Sequence, residues 1–188
     1  MKKIAYISAL LLTLANPVIA GEIADSGTKA EALAGEGKFT EALQTLDAGR
    51  EMVWKQSPLT FSKTLFVASD PSGYGIYDVR DNAVFKADEL LVIYTEPQGF
   101  AYGRDGAINV MNIKLDFEIK NKAGESLAKR ENFAAWTLRS RVPNREFMGK
   151  LTYNFTGLTP GDYEVTTTAR DQNSDKSGSF AMAFTIAP

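Results

Sequence analysis

Asp171, Asn173 and Asp175 put oxygen-bearing side chains at every second position of the run Asp171-Gln172-Asn173-Ser174-Asp175-Lys176-Ser177-Gly178. Alternation of this kind in a tight loop aims several hard oxygens inward, as a calcium ion requires. The pattern is incomplete, because Lys176 stands where a loop glycine belongs and position 182 is Met182 instead of a glutamate that would close the shell. A polar hairpin tip whose Asn and Asp bond their own backbone accounts for the same residues.

A second group follows an apolar segment: Tyr94-Thr95-Glu96-Pro97-Gln98-Gly99-Phe100-Ala101-Tyr102-Gly103-Arg104-Asp105-Gly106. Aromatic rings on a sheet edge offer a stacking surface to a sugar or a peptide anchor, and a guanidinium can fork to a carboxylate. Phe100, Tyr102, Arg104 and Asp105 are therefore the candidate binding residues. The same rings can instead fold back and close the open end of a sheet pair. Tyr74, Tyr77 and Trp136 can join this surface, depending on strand phase.

A third possibility is two carboxylates facing each other across a cleft, as in glycoside hydrolysis. Glu96 ends a strand, and Asp78, Asp81, Asp88 and Glu89 lie near it in sequence, but no spacing pairs them. The chain contains neither histidine nor cysteine. The commonest general base, thiolate nucleophiles, thiolate metal sites and disulfides are all missing from it. Nucleophile elbows, phosphate loops and dinucleotide fingerprints are absent too. The expectation is a protein that is not an enzyme and carries no cofactor.

Net charge is −2, with 21 Lys and Arg interspersed among 23 Asp and Glu, so no basic surface is expected and nucleic acid is set aside as a partner. An envelope protein or a glycan is the expected partner. At 44% hydrophobic and 23% charged, the 188 residues can bury a real core.

The elements that must position these residues begin after a targeting segment. Lys2 and Lys3 precede an apolar run from Ile4 to Leu14, and Asn16-Pro17 breaks it ahead of Val18-Ile19-Ala20. Residues 1–20 read as a signal peptide cleaved after Ala20. The run is shorter than the ~20 residues of a spanning helix, so the mature chain is expected in the periplasm, or secreted, without a membrane span.

From Glu22 to about Trp54 apolar residues recur at helical spacing, with a capping box predicted at Thr28 and Glu31 and a turn at Gly35-Glu36-Gly37. The stretch Ala32-Leu33-Ala34-Gly35-Glu36-Gly37-Lys38-Phe39-Thr40-Glu41-Ala42-Leu43 resembles the junction of a single tetratricopeptide repeat. One repeat does not bury its own apolar face, so the hairpin has to dock, either on the following sheet or on a partner. Gln56-Ser57-Pro58 ends it.

Beyond Leu59 the chain turns to β-branched and aromatic residues. Met111, Ile113, Leu115, Phe117 and Ile119 alternate strictly with polar residues, as do Gly149, Leu151 and Tyr153. The second of these alternations begins at Phe147 and runs on to Phe155, and further strands are predicted over Phe61–Ala68, Tyr74–Arg80, Leu90–Thr95, Ser126–Phe133, Ala134–Arg141, Tyr163–Ala169 and Phe180–Ile186. The run Gly157-Leu158-Thr159-Pro160-Gly161-Asp162-Tyr163-Glu164-Val165 resembles the corner of fibronectin type III and immunoglobulin-like domains of secreted proteins. That resemblance implies a Tyr163 hydroxyl bonded back to the corner backbone.

The expected architecture is mainly β. A signal peptide (1–20) and a helical hairpin (21–56) precede an antiparallel immunoglobulin/fibronectin-like β-sandwich (59–188). The expected function is non-catalytic binding or scaffolding in the cell envelope, with a carbohydrate-recognition module or a calcium-dependent adhesion module as alternatives.

Overall fold

Alanine-rich sequence with few β-branched residues favours helix, and the first element, α1, runs Pro17–Gly35. The computed structural model describes Pro17 to Pro188, so most of the predicted export segment lies outside the described residues. The predicted cleavage point after Ala20 falls within α1. The capping box is corrected: Thr28 lies inside α1, where its hydroxyl donates to the Ala24 carbonyl (3.1 Å) instead of opening a helix. The end of α1 is where the sequence places a turn. Gly37 takes a φ of 77°, its N–H reaches Ala34 O (3.0 Å), and Lys38 N–H reaches Leu33 O (2.9 Å), the paired bonds of a glycine-terminated helix.

The second helix, α2, runs Phe39–Gln56. It meets α1 along small residues. Ala30 and Ala42 are buried, and a Cβ at Gly49 would sit 3.2 Å from Ser26 Cβ. The large apolar residues of α2 lie elsewhere on the helix: Phe39, Leu43, Leu46 and Val53 are 65%, 64%, 50% and 47% exposed.

The chain divides into two units, one ending at Val53 and one running Trp54–Pro188. The second is built of nine strands in two curled sheets. Three strands, β1 (Thr60–Phe66), β3 (Leu91–Gln98) and β7 (Gly149–Tyr153), form one antiparallel sheet in the order β1-β3-β7. The other joins β2 (Val84–Phe85), β9 (Ser177–Ile186), β8 (Gly161–Asp171) and β5 (Ile108–Asn121), with β4 (Gly103–Asp105) and β6 (Ser126–Ser140) both paired to β5. Every pairing is antiparallel except β2 with β9.

The period-2 pattern of β5 works as read, with Met111, Ile113 and Leu115 fully buried and Ile119 nearly so. The core continues through Ile93, Leu151, Val165 and Phe184 and an aromatic stack in which Tyr153 lies 5.3 Å from Phe155. At the corner the Tyr163 hydroxyl donates to Thr159 O (2.7 Å) while its ring stacks on Phe184.

Three predicted strands differ. Tyr74–Arg80 forms no strand, because Gly73 and the left-handed Gly75 (φ 73°) turn the chain, leaving only isolated bridges of Gly73 with Ile76 and Val67 with Val79. Ser126–Phe133 and Ala134–Arg141 are instead one strand, β6, carried through a bulge. Three residues, 131–133, stand opposite Asp116 alone. Asn132 adopts a φ of 51°, and its N–H donates to Asp116 Oδ1 (2.7 Å), which also accepts from Arg170.

Candidate functional site

Gly99, with a φ of 78°, turns the chain out of β3 so that Phe100 enters the core. Phe100 is 1% exposed, its ring meets Trp54 edge to face at 5.0 Å, and its carbonyl accepts the Trp54 indole N–H (2.8 Å). The Phe100 ring is thus a wall of the core and offers no face to a ligand. Of the predicted binding residues it is the one the structure removes from the surface.

Tyr102, Arg104 and Asp105 stay at the rim. Tyr102 is half-buried against Phe100 (5.6 Å between rings), and its hydroxyl donates to Asn144 O in the loop after β6. Burial pushes its phenol up to about 12, against the lowering effects of that hydrogen bond and of nearby Arg145. Arg104 lies two residues further along the extended chain, hence on the same side of it, and is exposed with no ion pair among the described residues. Asp105 is held by Arg139 of β6 (2.6 Å).

The loop that completes this rim is fixed by Asn109, 3% exposed, whose amide donates to Ser140 O (3.3 Å) and Arg141 O (3.0 Å). Asn144 and Arg145, in the loop after β6, stand beside Tyr102, whereas Arg139 pairs through Val110 with Gly103 and so lies on the opposite face of the sheet from Arg104, which pairs through Asn109 with Ser140. Sequence reading missed Asn144 and Arg145, because the contact of Tyr102 with Asn144 spans 42 positions. Tyr74, Tyr77 and Trp136 do not extend the surface: Trp136 packs against Phe147, and Tyr77 lies 4.3 Å from Tyr94 on the other sheet.

The calcium candidates are engaged with protein. Asp171, 5% exposed, accepts from Ala101 N–H (2.6 Å), the Ser174 hydroxyl (2.8 Å) and Asn173 N–H (2.9 Å). Asn173 donates to Ala101 O and Val110 O, and Asp175 is exposed. The cation at this loop is Lys176. Its ammonium donates to Gly99 O (2.7 Å), Lys55 O (2.8 Å) and Trp54 O (3.3 Å), neutralising the carbonyl end of α2. Among the described residues no group of three or more acidic side chains is placed to hold a metal.

Glu96 is also accounted for. It is 8% exposed and accepts from the Tyr94 hydroxyl (2.8 Å) and the Ser62 hydroxyl (3.1 Å). Tyr94, raised to about 12 chiefly by burial, in turn accepts Gly75 N–H (2.7 Å) and so pins the turn at Gly73–Ile76 onto the small sheet. Asp78 is bonded by Ser69 and Glu89 by Arg80, so these carboxylates face other groups and not Glu96.

No protein-family model matches the chain, and no curated protein sequence does. Among solved structures, the Pseudomonas fluorescens alkylpurine DNA glycosylase AlkC, bound to DNA containing an abasic site analog, aligns over 95% of this chain and 41% of its own, at 15% identity and a TM-score of 0.37. Spo0M, a sporulation control protein of Bacillus subtilis, aligns over 70% of this chain and 50% of its own, at 9% identity and a TM-score of 0.35. The chain spans half or less of either structure.

The first of these is an enzyme and binds DNA, which overturns the expectations of no enzyme activity and no nucleic-acid partner. A likeness of that size assigns neither property to this chain. The first expectation came from missing histidine, cysteine and catalytic motifs, and the second from net charge, which averages over local clusters. Among the described residues no helix is long and apolar enough to cross a membrane.

Proposed function

We propose that this protein is an exported binding module of the cell envelope that grips an acid-bearing ligand, such as a uronic-acid glycan, at the Tyr102–Arg104 rim. The observation that carries the reading is Arg104, an exposed guanidinium with no ion pair among the described residues, beside a half-buried tyrosine. Arg139, on the other face of the sheet, is occupied by Asp105. A planar fork beside an aromatic ring suits a sugar carboxylate, which the guanidinium can bind through two hydrogen bonds while the ring packs on the pyranose. Export rests on the charged and apolar pattern of residues 1–20. The second unit is read as an immunoglobulin/fibronectin-like sandwich, a reading supported by the Tyr163 corner, and such scaffolds present their end loops to ligands.

A glycan panel containing neutral and uronic-acid sugars tests this, with a DNA oligonucleotide in the same assay. Binding is expected on the acidic sugars, with loss of signal in Arg104→Ala and Tyr102→Ala. Signal that survives Arg104→Ala, or retention of DNA in place of sugar, contradicts the reading.

A further inference from the structure

The polar tip at residues 171–176, whose spacing suggests a cation loop, converges on one other segment. Strand β3 ends at Gln98 and β4 begins at Gly103, so the backbone of residues 99–102 belongs to no sheet ladder. Its buried N–H and C=O groups still need partners, and they find them in side chains far along the chain. Gly99 O accepts from the Lys176 ammonium (2.7 Å), Phe100 O from the Trp54 indole N–H (2.8 Å) and Ala101 O from the Asn173 amide (3.2 Å), while Ala101 N–H donates to Asp171 Oδ2 (2.6 Å). The tip that supplies Asp171, Asn173 and Lys176 is itself fixed, with Asp171 N–H on Lys176 O (2.9 Å) and Gln172 N–H on Asn112 O (2.9 Å).

Side chains alternate across an extended chain, so Gly103 points away from the side that carries Tyr102 and Arg104. Asn173 fills that far side. A Cβ at Gly103 would meet its Oδ1 at 2.6 Å, and its amide also donates to Val110 O (2.9 Å) across the β4–β5 pair. We infer, on the reading of the rim as a ligand site, that Asp171, Asn173 and Lys176 are its positioning residues, a clamp that grips residues 99–103 from behind and sets Tyr102 and Arg104 for an acidic ligand. The clamp gives the alternating oxygens of this loop their use. Asp171 accepts the N–H of Ala101 and Asn173 donates to its carbonyl, two complementary bonds to the residue just before Tyr102. Ligand groups held by a supporting set of hydrogen bonds keep their geometry at no cost on binding, and lose it when the support is cut.

Asn173 is exposed, so Asn173→Ala cuts the clamp without opening the core. Tyr102 reads the result with no ligand present. Its phenol, pushed up to about 12 by burial, is expected to fall toward 10.0 in Asn173→Ala while those of Tyr94 and Tyr153 stay late. Tyr102→Phe marks which step of the spectrophotometric titration is its own. Affinity for a short oligouronate, measured by calorimetry, is expected to fall about tenfold in Asn173→Ala, the low end of what outer partners are worth at metal sites. Gly103→Ala is expected to act in the same direction through Asn173 and to add little to Asn173→Ala, since the nearest other residue to that Cβ is Val110, at 3.8 Å. A Tyr102 phenol that stays near 12 in Asn173→Ala overturns the clamp. So does a phenol that falls while affinity holds, or fully additive losses from the two substitutions. No binding by the unaltered protein sinks the rim reading instead, and the phenol then decides the clamp alone.

Discussion

Lys176 shows how one side chain decides between two readings of a loop. The alternation Asp171, Asn173, Asp175 suggested a site for a foreign cation, and the structure fills that role with an ammonium bonded to three carbonyls, two of them at the end of α2. Lys176→Met is expected to strand those acceptors and cost about 2–3 kcal/mol in a urea melt, the scale of a hydrogen bond to a charged group. Added calcium is expected to leave the melting temperature of the unaltered protein where it is. A calcium-dependent rise would show that the Asp171 carboxylate can exchange its N–H donors for a metal. Tyrosine hydroxyls give a second test at this scale. Tyr94, Tyr102 and Tyr153 are each raised to about 12 from 10.0, all mainly by burial. Between those values the unfolded chain loses protons that the native chain keeps. Stability is therefore complete below pH 10 and falls as pH rises toward 12. A spectrophotometric titration should show these phenols ionising late and together with unfolding; early, reversible ionisation of all of them would contradict their placement.

Among the elements, what could be read from sequence was what depends on neighbours along the chain. Strand β5 was legible because its alternation is strict and one of its faces is buried. The turn at Gly37 was legible because only a left-handed residue ends α1 in this way. Strand β6 was split in the reading because Asn132 interrupts its pattern, and the bond from Asn132 to Asp116 that holds it in one strand comes from 16 positions away. Phe100 was taken for a surface ring because an aromatic residue in a loop does not announce which way it turns, and the indole that claims its carbonyl is 46 residues distant. Half of the rim was visible, in Tyr102, Arg104 and Asp105. The part contributed by Asn144 and Arg145 was not, since it rests on a contact 42 positions away along the chain. Contact between the sheets makes its own prediction. A Cβ at Gly149 of β7 would lie 2.3 Å from the Trp136 ring of β6, and the ring packs closely around that position. Gly149→Ala is expected to destabilise by about 3 kcal/mol or more, read by thermal melting, since the clash is with a rigid ring in the core. A change under about 0.5 kcal/mol would mean that Trp136 is free to move.

For the whole molecule, stability should also fall on the acid side. The Lys86 backbone N–H and the Arg80 guanidinium hold the Glu89 carboxyl below its ordinary value, so its contribution is complete above the ordinary carboxyl range and lost as pH falls through the lowered value. The most direct test of the central claim is a calorimetric titration of a short oligouronate into the protein and into Arg104→Gln, at low and at physiological salt. Saturable binding that weakens about tenfold in Arg104→Gln, ~1.4 kcal/mol, and weakens again with salt is the predicted result. Equal affinity for the two proteins, or no heat with the unaltered one, would contradict a ligand site at the rim.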